Sequence, residues 1–135
     1  MKRMFVDTAG WTAAADKADP QHEVVCSLRD AWLAAGGTFV TTDYVIDETL
    51  TLLRMRMNIQ AAESWWAQIE GSTRVRIEWM HAERTERARA MFFRYRDKSF
   101  SFTDCTSFVV MKELRLRKCL TLDGHFRQAG FEMVP

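Results

Sequence analysis

The stretch Lys2-Arg3-Met4-Phe5-Val6-Asp7-Thr8-Ala9-Gly10-Trp11 constrains the chain more than any other. Three consecutive apolar residues end in one carboxylate, and small and polar residues follow at once. So short an apolar run fits a strand buried on both faces, with Asp7 emerging at its C-terminal end. In an open α/β sheet that edge is where ligands bind. What the chain can do then depends on which other carboxylates reach the same edge.

The pattern that follows alternates helices with strands. Gly10 to Lys17 reads as a short helix or turn closed by Asp19-Pro20, with Thr8-Ala9-Gly10 as a turn leading away from Asp7. A helix spans about Gln21 to Ala35, with Val24, Leu28, Ala31 and Ala35 on one face and Trp32 beside them; Gly36-Gly37 ends it. Thr38-Phe39-Val40-Thr41 is a second strand, and Thr42 or Asp43 caps the next helix. That helix runs to about Arg56, with Ile46, Leu50, Leu53 and Met57 inward. Asn58 caps another, to about Glu70, with the stripe Ile59, Ala62, Trp66 and Ile69 and with Trp65 adjoining. Trp66 reads as core; Trp65 fits either the core or a groove for a partner helix. Arg74 to Trp79 alternates charged and apolar residues, as on a sheet-edge strand.

A helix from about Ala82 to Tyr95 follows, with Ala88, Met91, Phe92 and Tyr95 inward. Ser99 to Thr103 is a loop ending in a cap. The helix from Asp104 to about Leu116 is apolar over much of its circumference, so it is central and buried. Cys119-Leu120-Thr121-Leu122 is a strand ending in Asp123; a turn or short helix, Gly124 to Ala129, leads to a last strand, Phe131 to Val134. Helices between strands indicate an α/β fold with a parallel sheet covered on both faces, in one domain over residues 1–135.

Several classes are excluded. Met4, Phe5 and Val6 alone separate the basic start from Asp7, against the roughly 7–15 apolar residues of a secretory signal. The longest uncharged run, Ala31 to Thr42, is shorter than the ~18 residues of a membrane span. Cys26, Cys105 and Cys119 form no CxxC pair and sit in apolar settings, as buried thiols of a cytoplasmic protein do. A net charge of +1 neither demands nor forbids nucleic acid.

The carboxylates are more informative. Asp7 and Asp123 each follow a strand. Asp104 opens a helix, and Glu48 lies in the first or second turn of the helix after strand two. Helices that run back against parallel strands start at the strands' C-terminal edge, so four distant segments bring acids to one place. Each acid alone also fits a cap or turn, and Asp43, Asp47 and Asp97 are read that way. Together, four carboxylates repel unless helix N-termini and a hard divalent cation offset them. No His/Cys set suits zinc, whereas acid-rich Mg2+ or Mn2+ sites serve phosphoryl chemistry.

These residues carry a resemblance. Val6-Asp7-Thr8, then Thr42-Asp43-Tyr44-Val45-Ile46-Asp47-Glu48-Thr49, then Phe102-Thr103-Asp104-Cys105, then Thr121-Leu122-Asp123-Gly124-His125-Phe126 resemble, in order and spacing, the four acidic motifs of PIN domains. The ending from Asp123 to Phe131 resembles that of the VapC-like toxins of type II toxin–antitoxin modules. The resemblance implies a five-stranded parallel sheet and a Mg2+- or Mn2+-dependent endoribonuclease. Its acidic site would be Asp7, Glu48, Asp104 and Asp123, and a metal-activated water would leave a 5′-phosphate and a 3′-hydroxyl. It also implies an RNA substrate, a cognate antitoxin and a homodimer. A PIN nuclease of RNA processing or decay, and an inactive PIN module that binds RNA or protein, stay open beside the toxin. Ala9 stands where many relatives place Ser or Asn, and Gly124 where a basic residue is frequent.

Other features weigh less. The Asp-x-x-Gly of Asp7 to Gly10 lacks any GxxxxGK[ST] partner, which argues against a GTPase. Ala9 stands where an aspartyl-nucleophile phosphatase wants a second Asp. Arg84, Arg87, Arg89, Arg94, Arg96 and Lys98 either grip RNA phosphates or form a solvated helix face pairing with Glu83 and Glu86; Arg54 and Arg56 are similar. Thr8, Ser101 and Thr103 are candidates to orient metal-bound water, and His125 reads as a turn residue rather than a ligand.

Overall fold

In the computed structural model, which describes residues 2–135, five strands form one parallel sheet. They are β1 (Arg3–Val6), β2 (Thr38–Thr42), β3 (Val75–Glu78), β4 (Lys118–Leu120) and β5 (Glu132–Val134). The order is β3-β2-β1-β4-β5. The chain winds outward from β1 through β2 to β3, then returns to lay β4 on the other side of β1. The winding therefore reverses between β1 and β4, where α/β sheets open their ligand crevice. Phe5 lies opposite Val40 of β2 and Cys119 of β4. Met4, Phe5 and Val6 are fully enclosed, as the sequence predicts for a central strand.

Seven helices cover the sheet: α1 (Thr8–Ala15), α2 (His22–Ala34), α3 (Asp43–Arg56), α4 (Ile59–Gly71), α5 (Ala82–Arg94), α6 (Phe102–Glu113) and α7 (His125–Gln128). α6 is buried from Asp104 to Met111, because apolar residues surround most of its circumference. Burial pushes the Cys105 thiol up to about 11 and that of Cys119 well above its ordinary value. Both thiols therefore stay protonated and act as packing groups. No helix of the described residues is long and apolar enough to cross a membrane.

The structure corrects several expectations. Thr8-Ala9-Gly10 is the first turn of α1, with Asp7 as its N-cap residue. The helix can start there because Gly10 has no side chain: a Cβ would collide with the Leu120 carbonyl of β4. Trp11 then locks α1 in place, donating from Nε1 to Thr41 Oγ1, which itself donates to the Val6 carbonyl. On α2, Val25 is enclosed and Val24 is 45% exposed; the adjacent valines lie about 100° apart around the helix, so only one of them joins the core. Ala31 and Ala35 are exposed as well. Met57 and Ile59 are exposed at the α3–α4 corner, and Phe92 is exposed on α5.

Trp65, not Trp66, is the buried member of its pair. It packs edge-on against Trp11 at 5.7 Å, while Trp66 is half-buried against the same core. α6 starts at Phe102, two residues before the expected Asp104, because Ser101 and Asp104 form a reciprocal capping box. Thr103 is thus a helical residue and not the cap. β4 ends at Leu120, so Thr121 and Leu122 lie beyond the strand.

Candidate active site

A cleft of about 410 Å³ opens at the C-terminal ends of β1 and β4. Asp7, Glu48, Asp104 and Asp123 all line it, together with Thr8, Ser101, Asp19, Arg56 and His125. Each acid arrives by a different local rule. Asp7 is fixed by the end of β1, and its N–H donates to the Leu120 carbonyl. Glu48 is carried by α3, whose start is set by the Thr42 side chain accepting from the Val45 N–H. Asp104 is held by its capping box: one carboxylate oxygen accepts from the Ser101 N–H at 3.0 Å. Asp123 closes a tight turn, accepting from the His125 N–H at 2.9 Å.

Two residues that the sequence reading missed or set aside knit these acids together. The Thr121 hydroxyl donates to Asp7 at 3.2 Å and accepts from the Asp123 N–H at 3.0 Å. Its place two residues before Asp123 was the available signal, since a hydroxyl there can reach both a turn and the neighbouring strand. His125 is no mere turn residue. Its Nδ1 lies 3.1 Å from Asp104 and 3.2 Å from Asp123, and Nε2 faces Ser99 at 3.0 Å. Ligand atoms of Asp104, Asp123 and His125 fall within 4.8 Å of one another.

The electrostatics are those of crowded anions. Asp7 is 4% exposed, and its carboxyl is pushed up to about 7. Burial is the main cause, and the negative charges of Asp104, Asp123 and Glu48 add to it. Asp104 is shifted upward as well, chiefly by burial and then by Asp123, against the opposing hydrogen bond from Ser101. Among the described residues no Lys or Arg forms an ion pair with any of the four acids. Arg56 reaches the cleft but pairs with Asp19 at 3.7 Å. The Thr8 hydroxyl is buried at the cleft wall without a hydrogen-bond partner.

The other sequence candidates divide. Ser101 lines the cleft, and Thr103 lies outside its lining. Arg54, on the last turn of α3, is exposed and does not line the cleft. Arg94 lies against the Tyr95 ring and borders a separate groove with Arg87, Met91 and Val109. Arg96 and Lys98 are exposed, and Lys98 pairs with Asp97 at 3.4 Å. Arg84 is neither an RNA grip nor part of a solvated face. It is buried and bridges bidentately to Glu113 at 2.8 and 3.0 Å, bolting α5 to α6. Arg87 also pairs with Glu113, rather than with Glu83 or Glu86.

A family model described as the PIN domain matches residues 4–132. The chain is 35% identical over 131 residues to the 23S rRNA-specific endonuclease VapC20 of Mycobacterium tuberculosis, covering 97% of each protein. It is 27% identical over 124 residues to Ribonuclease VapC26 of the same organism, covering 91% of this chain and 89% of that protein. The crystal structure of VapC20, described as a sarcin-ricin loop cleaving toxin, matches with a TM-score of 0.86 and 34% identity over 95% of each chain. The structure of VapBC2 from Rickettsia felis shares the fold alone, at a TM-score of 0.72 and 11% identity, over 97% of this chain and 96% of that one.

Proposed function

The chain belongs to the PIN-domain family, and from that premise we propose that it is a metal-dependent endoribonuclease, the toxin of a toxin–antitoxin module. One observation carries the reading: four carboxylates line one cleft, and no Lys or Arg among the described residues pairs with any of them. A buried carboxylate such as Asp7 or Asp104 keeps its charge at low cost only when something positive offsets it, and otherwise takes up a proton. The donor set is carboxylate oxygen with one imidazole at its rim, which suits Mg2+ or Mn2+ better than zinc. The unpartnered Thr8 hydroxyl is a further polar atom facing the same space.

In this reading Asp7, Glu48, Asp104 and Asp123 hold the cation. Bound there, the cation lowers the pKa of water and neutralises charge developing on the scissile phosphate. The chain's own part is positioning. Thr121 sets the Asp7 carboxylate and the Asp123 turn at once, and Ser101 fixes Asp104 by two reciprocal hydrogen bonds. His125, wedged between Ser99 and Asp104, fixes the outer face of Asp104. Such neighbours of a metal ligand typically contribute about 10–100-fold in affinity or activity.

RNA is the substrate in this proposal, and the rRNA specificity of VapC20 makes ribosomal RNA the first substrate to test. Cytoplasmic location, a cognate antitoxin and a homodimer belong to the same proposal. The test compares purified wild type with Asp7→Asn and Asp104→Asn on structured RNA, with Mg2+ and with EDTA. Cleavage by wild type with Mg2+ alone, reduced on the order of a thousand-fold in either variant, is the expected result. Equal cleavage in all samples would assign the activity to a contaminant.

A further inference from the structure

The opposite end of the sheet carries the reverse charge. Lys2, Arg3, Arg115, Arg117 and Lys118 surround a hollow of about 270 Å³ whose lining includes Trp32 and no carboxylate. The concentration is notable because the chain as a whole is +1. None of these five cations forms an ion pair among the described residues. Several other arginines are paired, Arg84 and Arg87 with Glu113, Arg29 with Asp30 and Arg56 with Asp19, while Arg54, Arg89, Arg96 and Arg127 form no ion pair among the described residues. What sets this cluster apart is five cations around one hollow with no carboxylate in its lining.

Part of the cluster has an internal explanation. Arg3 donates to the Leu114 carbonyl at the end of α6. The ammonium groups of Lys2 and Lys118 lie 5.0 and 5.8 Å from the Trp32 ring centroid. Arg115 and Arg117 are exposed and have no ion-pair partner among the described residues. Arg115 also occupies a left-handed conformation with φ of 57° just after α6, a place where glycine or asparagine is usual. Like charges gathered this way repel one another, and an external polyanion relieves that repulsion.

The active cleft cannot supply that attraction. It is lined by the four acids and Asp19, and its one arginine is paired. Beyond the cation it would hold, such a centre offers phosphate no unpaired basic side chain, so basic surfaces elsewhere add to RNA binding. Lys2 and Asp7 lie at opposite ends of β1, a span of roughly 17 Å at the usual rise per strand residue, so one folded RNA can reach both.

We propose that Lys2, Arg3, Arg115, Arg117 and Lys118 form a second RNA-contact surface, which binds backbone phosphates of a folded RNA away from the position that is cut. This rests on the nuclease reading for its purpose, not for its test. The surface is proposed to read backbone charge rather than sequence: its lining is chiefly cationic, and Trp32 lies under the Lys2 and Lys118 ammonium groups.

The experiment compares wild type with Arg115→Gln/Arg117→Gln/Lys118→Gln. Binding of a labelled hairpin RNA in EDTA is measured against salt concentration. Loss of three cations flattens the slope of log K against log salt by about two, and weakens binding at least about ten-fold at low salt. The single variant Arg117→Gln, whose exposed side chain makes no hydrogen bond or ion pair among the described residues and whose backbone bond to Glu132 is kept, gives about one third of that change and guards against misfolding of the triple variant. Unchanged affinity and slope in both variants would overturn the proposal. So would loss of binding to polyglutamate with RNA binding retained, which would assign the surface to an acidic protein partner. Cleavage of structured ribosomal RNA with Mg2+ tests the nuclease reading separately: failure there in wild type would remove that reading, while the hairpin contrast in EDTA still decides the surface.

Discussion

The two ends of the sheet differ in how their charges are held. At the C-terminal ends of β1 and β4, Asp7 and Asp104 are buried and tied to Thr121, Ser101 and His125. At the N-terminal ends, Arg115, Arg117 and Lys118 are exposed and form no ion pair among the described residues. A buried charge must be fixed in geometry because its desolvation is costly, and that fixation suits an ion demanding set distances. An exposed charge needs no fixed partner and suits a flexible polyanion. The comparison teaches that one small sheet can separate a rigid site for chemistry from a loose surface for capture.

The largest effect that could break this comparison is on stability without divalent cations. The Asp7 carboxyl is raised from 3.8 to about 7, so between those values the native state holds a proton that the unfolded chain has released. This contribution to stability is complete at the acid end and is lost as pH rises through about 7. At pH 8 in EDTA, Asp7→Asn is expected to be more stable than wild type by roughly 2–4 kcal/mol, with the gap closing near pH 4. Denaturant unfolding at both pH values checks it. Identical pH dependence in the two proteins would show that the acid cleft is not strained by its own charge.

A smaller effect sharpens the other side. Arg115→Gly relieves the left-handed backbone at φ 57° but adds freedom to the unfolded chain, and the two terms nearly offset. The expected change is a gain within about 1 kcal/mol by thermal or denaturant unfolding. A loss well beyond that would mean Arg115 supports the fold and is not simply a surface cation.

Much of the architecture was legible because the signals were local. Met4-Phe5-Val6 and the apolar circumference of Phe108, Val109, Val110 and Met111 each admit one reading, a buried strand and a buried helix. The convergence of Asp7, Glu48, Asp104 and Asp123 on one cleft followed from parallel topology alone, since strand ends and helix starts share an edge. What escaped depended on contacts between distant segments. The helical start at Thr8 requires knowing that Gly10 meets Leu120 across the sheet. Trp65 and Trp66 are neighbours in the sequence, and only the position of Trp11 decides between them. Arg84 looked like its exposed neighbours until Glu113 was brought beneath it. The basic end of the sheet joins residues 2–3 to residues 115–118, a pairing that neither segment announces by itself.

The central claim is that the acid cleft is a divalent-cation site, and calorimetric titration with Mn2+ tests it most directly. Wild type is expected to bind at pH 8 and to bind more weakly as pH falls below about 7, where Asp7 takes up a proton. Asp104→Asn and Asp123→Asn are expected to lose most of that affinity, while Arg117→Gln keeps it. A wild-type protein that binds no Mn2+ at millimolar concentration, or acid variants that bind as wild type does, would contradict the account.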